Sequence, residues 1–277
     1  MNPVHLLPAA LISLILLSSA QAATVAHWRF EGDSSTWLLD SSGNGNHLTN
    51  GGNGTSYVLP TSGAGSAFSD PIPQTGTPNL RALSFIGGGT GLLRAPDSPA
   101  WTTPTFTIEA QINLNAVGAL QSIAGHFSGA SDPLTRALLF HVNSSNNLSV
   151  IINNNTFSST LNLSAGTDYF VALAVDLTAP ESQRLTFYLQ DLTNGGTLQQ
   201  SVRSANVTSV NNTTADFSIG STGNPSSPFN GLIDEVRFSN STLTANQLLI
   251  APEPSRSLFL CLGLGLVFTH RRRNSLK

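Results

Sequence analysis

Fourteen carboxylates lie between Ala23 and Pro252, and only four of them are glutamates: Glu31, Glu109, Glu181 and Glu235. Glycoside hydrolysis needs two carboxyl groups flanking the scissile bond, about 5–5.5 Å apart in retaining enzymes. Acids at alternate positions of one strand supply such a pair. Only Glu31 has an acid two residues on, and its partner Asp33 falls in a polar turn. Asp234 and Glu235 are adjacent, so a regular strand points them to opposite faces. There is no Gly-x-Ser-x-Gly elbow to present a nucleophile. His27, His47, His126 and His141 are scattered, with no His-x-x-His pair or Cys cluster to hold zinc. The expectation from these residues is a chain that is not an enzyme.

Binding chemistry is better represented. Asp234 alternates with Leu232, Val236 and Phe238, and a carboxylate sharing a face with three apolar residues needs an Arg, backbone N–H groups or a metal. Trp28, Phe30, Phe85, Phe106, Phe170 and Phe238 alternate with polar neighbours and read as core. Trp37, Tyr57 and Trp101 fall in turns or loops and are the candidates for stacking on a sugar ring. Asparagine-rich turns at 153–155 and 211–212 add amides able to bond hydroxyls.

The elements that must position these groups are strands. Thr105–Leu114 alternates Phe106, Ile108, Ala110, Ile112 and Leu114 with polar residues, the period of a half-buried strand. Runs at 25–30, 82–86, 137–142, 148–152, 169–176, 184–190 and 232–238 read the same way, separated by turn clusters such as 143–147 and 194–196. One short helix is expected at 243–249, with Thr244 and Gln247 as its capping box. The stretch 49–78 reads as an irregular excursion with a short strand at 57–59. The fold class is therefore all-β: a two-sheet antiparallel sandwich.

Composition agrees. Charged residues are 10% of the 277, with 24 Gly and 15 Pro, which argues against a coiled coil or a helical bundle. Residues 23–251 carry seven arginines, no lysine and fourteen acids. Such a domain is not built to neutralise phosphates, so no nucleic-acid partner is expected. The single cysteine, Cys261, lies outside this stretch, and no internal disulfide can form within it.

Both ends read as addresses. Residues 1–22 carry an apolar run, Leu11–Leu17, and a small-residue Ala20-Gln21-Ala22 site, the pattern of a secretory signal peptide. At the other end, Pro252-Glu253-Pro254 precedes a hydrophobic segment at 257–269 and a basic stop at Arg271, Arg272 and Arg273. Cationic ends stay cytoplasmic, which leaves the preceding domain on the far side of the membrane. This three-part order at 251–277 resembles the PEP-CTERM sorting tail of bacterial exported proteins. The resemblance implies transient membrane anchoring, processing by an exosortase-type peptidase, and a destination at the cell surface or outside the cell.

Residues 23–250 carry a second resemblance. Ala26-His27-Trp28-Arg29-Phe30-Glu31-Gly32-Asp33 is followed by Asp40-Ser41-Ser42-Gly43-Asn44-Gly45-Asn46, and the stretch closes with Gly231-Leu232-Ile233-Asp234-Glu235-Val236-Arg237-Phe238. Together they resemble the laminin-G-like (concanavalin A-like) jelly-roll domains of bacterial surface proteins. That likeness implies a structural Ca²⁺ on Asp234, with Glu31, Asp33, Asp40 and Asn46 as candidate partners, a donor set of hard oxygens. The implied role is carbohydrate binding or adhesion, with a polysaccharide or surface glycan as partner. A purely structural surface component and a glycoside hydrolase of the same fold are the alternatives.

Overall fold

The computed structural model describes residues 24–33, 36–50, 68–87, 91–128, 136–222 and 226–251. The expected signal peptide, Tyr57 and the sorting tail lie outside them. The strands in chain order are β1 (Thr24–Trp28), β2 (Thr49–Asn50), β3 (Leu83–Ile86), β4 (Leu93–Ala95), β5 (Thr105–Leu114), β6 (Gln121–Phe127) and β7 (Arg136–Val142). They continue with β8 (Asn147–Ile152), β9 (Asn155–Asn162), β10 (Asp168–Asp176), β11 (Leu185–Asp191), β12 (Gln199–Arg203), β13 (Phe217–Ile219) and β14 (Asn230–Ser239). Among the described residues no helix is long and apolar enough to cross a membrane. The helix expected at 243–249 is a short 3₁₀ turn, Ala245–Gln247, and it does carry the Thr244/Gln247 capping box.

Two antiparallel sheets face each other. The first runs β1-β14-β5-β10-β11-β12, with β3 also paired to β14; the second runs β2-β4-β13-β6-β7-β8-β9. Between them Trp28, Trp101, Phe106, Phe217 and Phe238 form one aromatic cluster, with ring centroids from 4.8 Å (Trp101–Phe217) to 6.2 Å (Trp28–Trp101). Each such ring buries about 150–250 Å² and dominates core energetics.

The polar turn Asp40–Asn46 packs against β1. The Asp40 carboxylate accepts from the backbone N–H groups of His27 (2.9 Å), Ser42 (2.8 Å) and Asn46 (3.0 Å), and from the Ser42 hydroxyl (2.8 Å). Burial pushes its pKa up, but these hydrogen bonds outweigh that effect and hold it below 3.8.

Two expectations about strands are corrected. The strand at 105–114 is not half-buried: Thr107, Glu109 and Gln111, on its outward face, are as buried as the core residues between them. Segments 68–80 and 242–251 cover that face through a second apolar cluster. It joins Ile72, Leu243, Leu248 and Leu249 to Phe170, Ala172, Ala174 and Tyr188 of β10 and β11. The late strand also departs from strict alternation. Asp234 pairs with Gln111, yet Arg237 pairs with Glu109, so β14 holds one extra residue, a bulge in which Glu235 adopts φ 49°. Ile233, Val236 and Phe238 face the core in consequence, and Asp234 does not share their face.

Candidate functional site

The bulge gathers acids that the linear pattern keeps apart. On the covered outer face of the first sheet, Glu235 accepts from His27 Nε2 (2.6 Å) and from Arg29 Nε (2.9 Å). Glu109 accepts from Arg237 Nε at 2.5 Å and from the Leu249 backbone N–H at 2.7 Å. Arg237 in turn donates to Gln74 Oε1 (2.8 Å) and to the Gln247 carbonyl (2.9 Å). Asp234, 0% exposed, has no hydrogen-bond partner of ordinary geometry on either carboxylate oxygen. Burial first, and the neighbouring Glu235 charge second, push its pKa well above 3.8, with the adjacent Asn79 side chain offsetting part of the effect. Three carboxyl groups from two strands thus lie buried on this covered face, Glu109 and Glu235 each bonded to an arginine.

The residues expected to hold calcium do not assemble as a set. Glu31 Oε1 accepts from the backbone N–H groups of Leu80 and Arg81 at 2.5 and 3.0 Å. Asp33 Oδ1 accepts from the Thr36 hydroxyl at 3.2 Å, and Asp40 is enclosed by its own turn. Asn46 donates to the Val25 carbonyl (2.8 Å), and its own carbonyl accepts from Trp28 Nε1 (2.7 Å). Glu31 lies within the electrostatic reach of Asp234. Among the described residues no group of three or more His, Cys, Asp or Glu is arranged to hold a metal ion.

The aromatic candidates are also relocated. Trp101 is 0% exposed, with Phe217 against one part of the ring and Phe238 edge-on, so it has no face to offer a sugar. The 3₁₀ turn Pro99–Thr102 carries it inward, and its Nε1 donates to the Pro96 carbonyl at 3.1 Å. Trp37 is buried in the main core. The amides of the 153–155 and 211–212 turns hold the chain together: Asn153 accepts from Asn211 N–H (2.8 Å) and donates to the Ser209 carbonyl (2.7 Å).

An exposed polar surface does form at one end of the sandwich, and its residues were not singled out from the sequence. The β5–β6 loop, the β7–β8 turn, the end of β9 and the start of β14 meet there. Gly118 N–H donates to Asn146 Oδ1 (2.7 Å), Asn115 Nδ2 to Asn230 Oδ1 (3.1 Å), and Asn162 Nδ2 to the Ser145 carbonyl (3.0 Å). Asn146 takes φ 65°, a conformation that asparagine tolerates better than most residues. Asn115 and Asn162 are exposed, and Val117 beside them is 39% exposed. Planar amides each offer donors and acceptors in one plane, and with an apolar spot among them they match the hydroxyls and C–H faces of a sugar. The density of asparagine at 143–147 was the available signal; its junction with Asn115 and Asn230 depends on the fold.

Behind this rim a polar row crosses four strands. Ser122 of β6 pairs with His141 of β7, His141 with Ser149 of β8, and Ser149 with Ser158 of β9. His141 Nδ1 donates to the Leu139 carbonyl at 3.2 Å, which fixes the tautomer and leaves Nε2 as an acceptor. Burial drives the His141 pKa down from 6.5 to about 4, against the small opposing effect of that hydrogen bond.

A family model described as the concanavalin A-like lectin/glucanases superfamily (Laminin_G_3) matches residues 87–249. No curated protein matches the chain. Among solved structures, the chain is similar to domain 4 of AbnA, a GH43 extracellular arabinanase from Geobacillus stearothermophilus, in complex with arabinotriose. The TM-score there is 0.51 at 18% identity, covering 83% of this chain and 98% of that one. A Ruminococcus gnavus sialidase CBM40 bound to α2,3 sialyllactose matches at TM-score 0.44 and 14% identity, over 61% and 93%. The Trypanosoma rangeli sialidase in complex with sialic acid matches at 0.45 and 14%, over 81% of this chain and 32% of its own length.

The expectation that the chain is not an enzyme is overturned by the family match, since that superfamily is described as lectins and glucanases. A search for acids paired along one strand tests one arrangement of catalytic groups, whereas a pair can also come from different strands or loops that only the fold brings together.

Proposed function

Because the chain belongs to the concanavalin A-like lectin/glucanase superfamily, we propose that it is a carbohydrate-active domain that engages a polysaccharide or surface glycan at the asparagine rim. The observation that carries this reading is the set of exposed Asn115 and Asn162 with half-buried Asn146 and Asn230, held in place by hydrogen bonds to one another and to the backbone and flanked by Val117. The test is a neutral and acidic glycan array on residues 23–251, followed by calorimetry on the strongest hit. Asn115→Ala combined with Asn162→Ala is expected to weaken binding at least tenfold without changing the melting temperature. An array without hits, or binding indifferent to both substitutions, leaves a purely structural surface component.

A second reading, hydrolysis of a glycosidic bond, is favoured by the family match, whose description includes glucanases. Release of reducing ends from a polysaccharide panel by the purified domain supports it, and no release from any member of the panel opposes it. Export by the 1–22 signal peptide and display at the cell surface through exosortase processing of the 251–277 tail complete the proposal. Mass spectrometry of the secreted protein reads both cleavage sites.

Of the five candidate calcium ligands, Asp234 fits the ion best: it is fully buried, has only the Asn79 side chain and the Glu235 backbone to offset its charge, and sits beside a second negative charge. Glu31 is near enough to share the charge, whereas Asp33, Asp40 and Asn46 are committed to their own turns. Bound Ca²⁺ would neutralise a carboxylate that is otherwise costly to ionise. Calcium at about 100 times its Kd should stabilise the domain by about 2.7 kcal/mol. EDTA should reverse the gain, and Asp234→Asn should remove it. Identical melting curves with calcium and with chelator dispose of the metal.

A further inference from the structure

One titratable side chain takes no part in either reading. His126 is 0% exposed at the far end of β6, yet it touches two loops that come from distant parts of the chain. Its Nε2 lies 3.1 Å from Asp97 Oδ1, in the loop after β4, and 3.3 Å from Thr213 Oγ1, in the loop before β13. Thr213 Oγ1 also accepts from Ala215 N–H at 3.0 Å. The Ala215 backbone also hydrogen-bonds the imidazole, so both loops hold the ring.

Both loops feed the aromatic core. Immediately after Asp97, Ser98 caps the 3₁₀ turn that carries Trp101; immediately after Ala215 and Asp216 comes Phe217, which packs on Trp101 at 4.8 Å. We propose that His126 is an acid-sensitive latch that holds the 96–98 and 212–216 loops closed over this end of the sandwich.

The groups facing the latch are few. The β4 side contributes Arg94 and Asp97; the loop before β13 contributes Asp216, which lies 4.0 Å from Arg94. On β7 the residue opposite His126 is Leu138, and on β13 it is Phe217, neither of which titrates. Burial lowers the pKa of His126 below 6.5, and the Ala215 backbone, Asp97 and Asp216 recover only part of the shift. The closed arrangement therefore binds a proton less readily than an open, hydrated one. Its stability is complete above about pH 6.5 and declines as the pH falls from there toward the lowered value in the closed state. Asp97 is 38% exposed, which gives water and protons a short route once the loops part.

The test is amide hydrogen exchange on residues 23–251 at pH 7.5 and pH 5, each corrected for intrinsic rates. Amides of 98–102 and 212–216 are expected to exchange at least tenfold faster at the lower pH, while β5 and β10 amides keep their protection. His126→Gln should abolish the dependence. Asp97→Asn, which leaves the imidazole in place and removes its favourable charge, should move the midpoint to lower pH. Loops that exchange equally at both pH values, loops that open only together with β5 and β10, a dependence that survives His126→Gln, or a midpoint unmoved by Asp97→Asn would each overturn the latch.

Discussion

Replacing Glu109 by Gln is expected to lower the unfolding free energy by about 3–5 kcal/mol, the usual cost of stranding one partner of a buried ion pair. Arg237 would keep its charge with no carboxylate to meet it, inside a surface sealed by segments 68–80 and 242–251. Burial already raises the Glu109 pKa above 4.5, against the Arg237 charge and the Leu249 N–H that favour its ionised form. The pair is thus more costly to break than it is profitable to form. The damage should spread, because Arg237 also holds Gln74 and Gln247, and Glu109 holds Leu249. Urea unfolding of the single variant measures the loss. A double variant, Glu109→Leu with Arg237→Met, removes both charges and should recover most of it. A single substitution costing under about 1 kcal/mol would show that solvent reaches the pair after all.

A second large effect should appear on acidification. The His141 pKa falls from 6.5 to about 4 on folding, so between these values the unfolded chain binds a proton that the folded one refuses. The sign follows directly: this contribution is complete above about pH 6.5 and is lost as the pH drops toward 4. At about 1.36 kcal/mol per unit, the full span is worth about 3 kcal/mol. Unfolding free energies at pH 7 and pH 4 should therefore differ by about that much more in the wild type than in His141→Gln. Asp40, whose pKa is held low, also loses stability in acid, but it does so equally in both proteins and cancels from the comparison. Equal pH dependence in the two proteins would mean that His141 is already hydrated in the folded state.

Much of the architecture was legible because it is written at short range. The alternation in 105–114 marks β5 to the residue, and the capping pair Thr244/Gln247 marks the closing turn. The missed strands are β2, β4, β6, β9, β12 and β13; all but β6 are short or polar, and β6, Gln121–Phe127, mixes polar and small residues with apolar ones and shows no alternation. They are strands because neighbours supply their hydrogen-bond ladders, and nothing within a three-residue run such as Phe217–Ile219 announces that. The candidate sugar-stacking residue Trp101 was misplaced for a related reason. A tryptophan in a loop looks available until the loop is seen to fold back into the core.

The sequence by itself determined an all-β chain with a rigid Asp40–Asn46 turn and a buried aromatic face, since each follows from local periodicity or from side chains bonding their own backbone. Tertiary structure alone decided where the acids point and what covers them. A single extra residue at Glu235 rotates Asp234 off the core face, and two segments separated by more than a hundred residues close over Glu109 and Arg237. Register and long-range packing set both outcomes, and neither leaves a periodic trace in the chain.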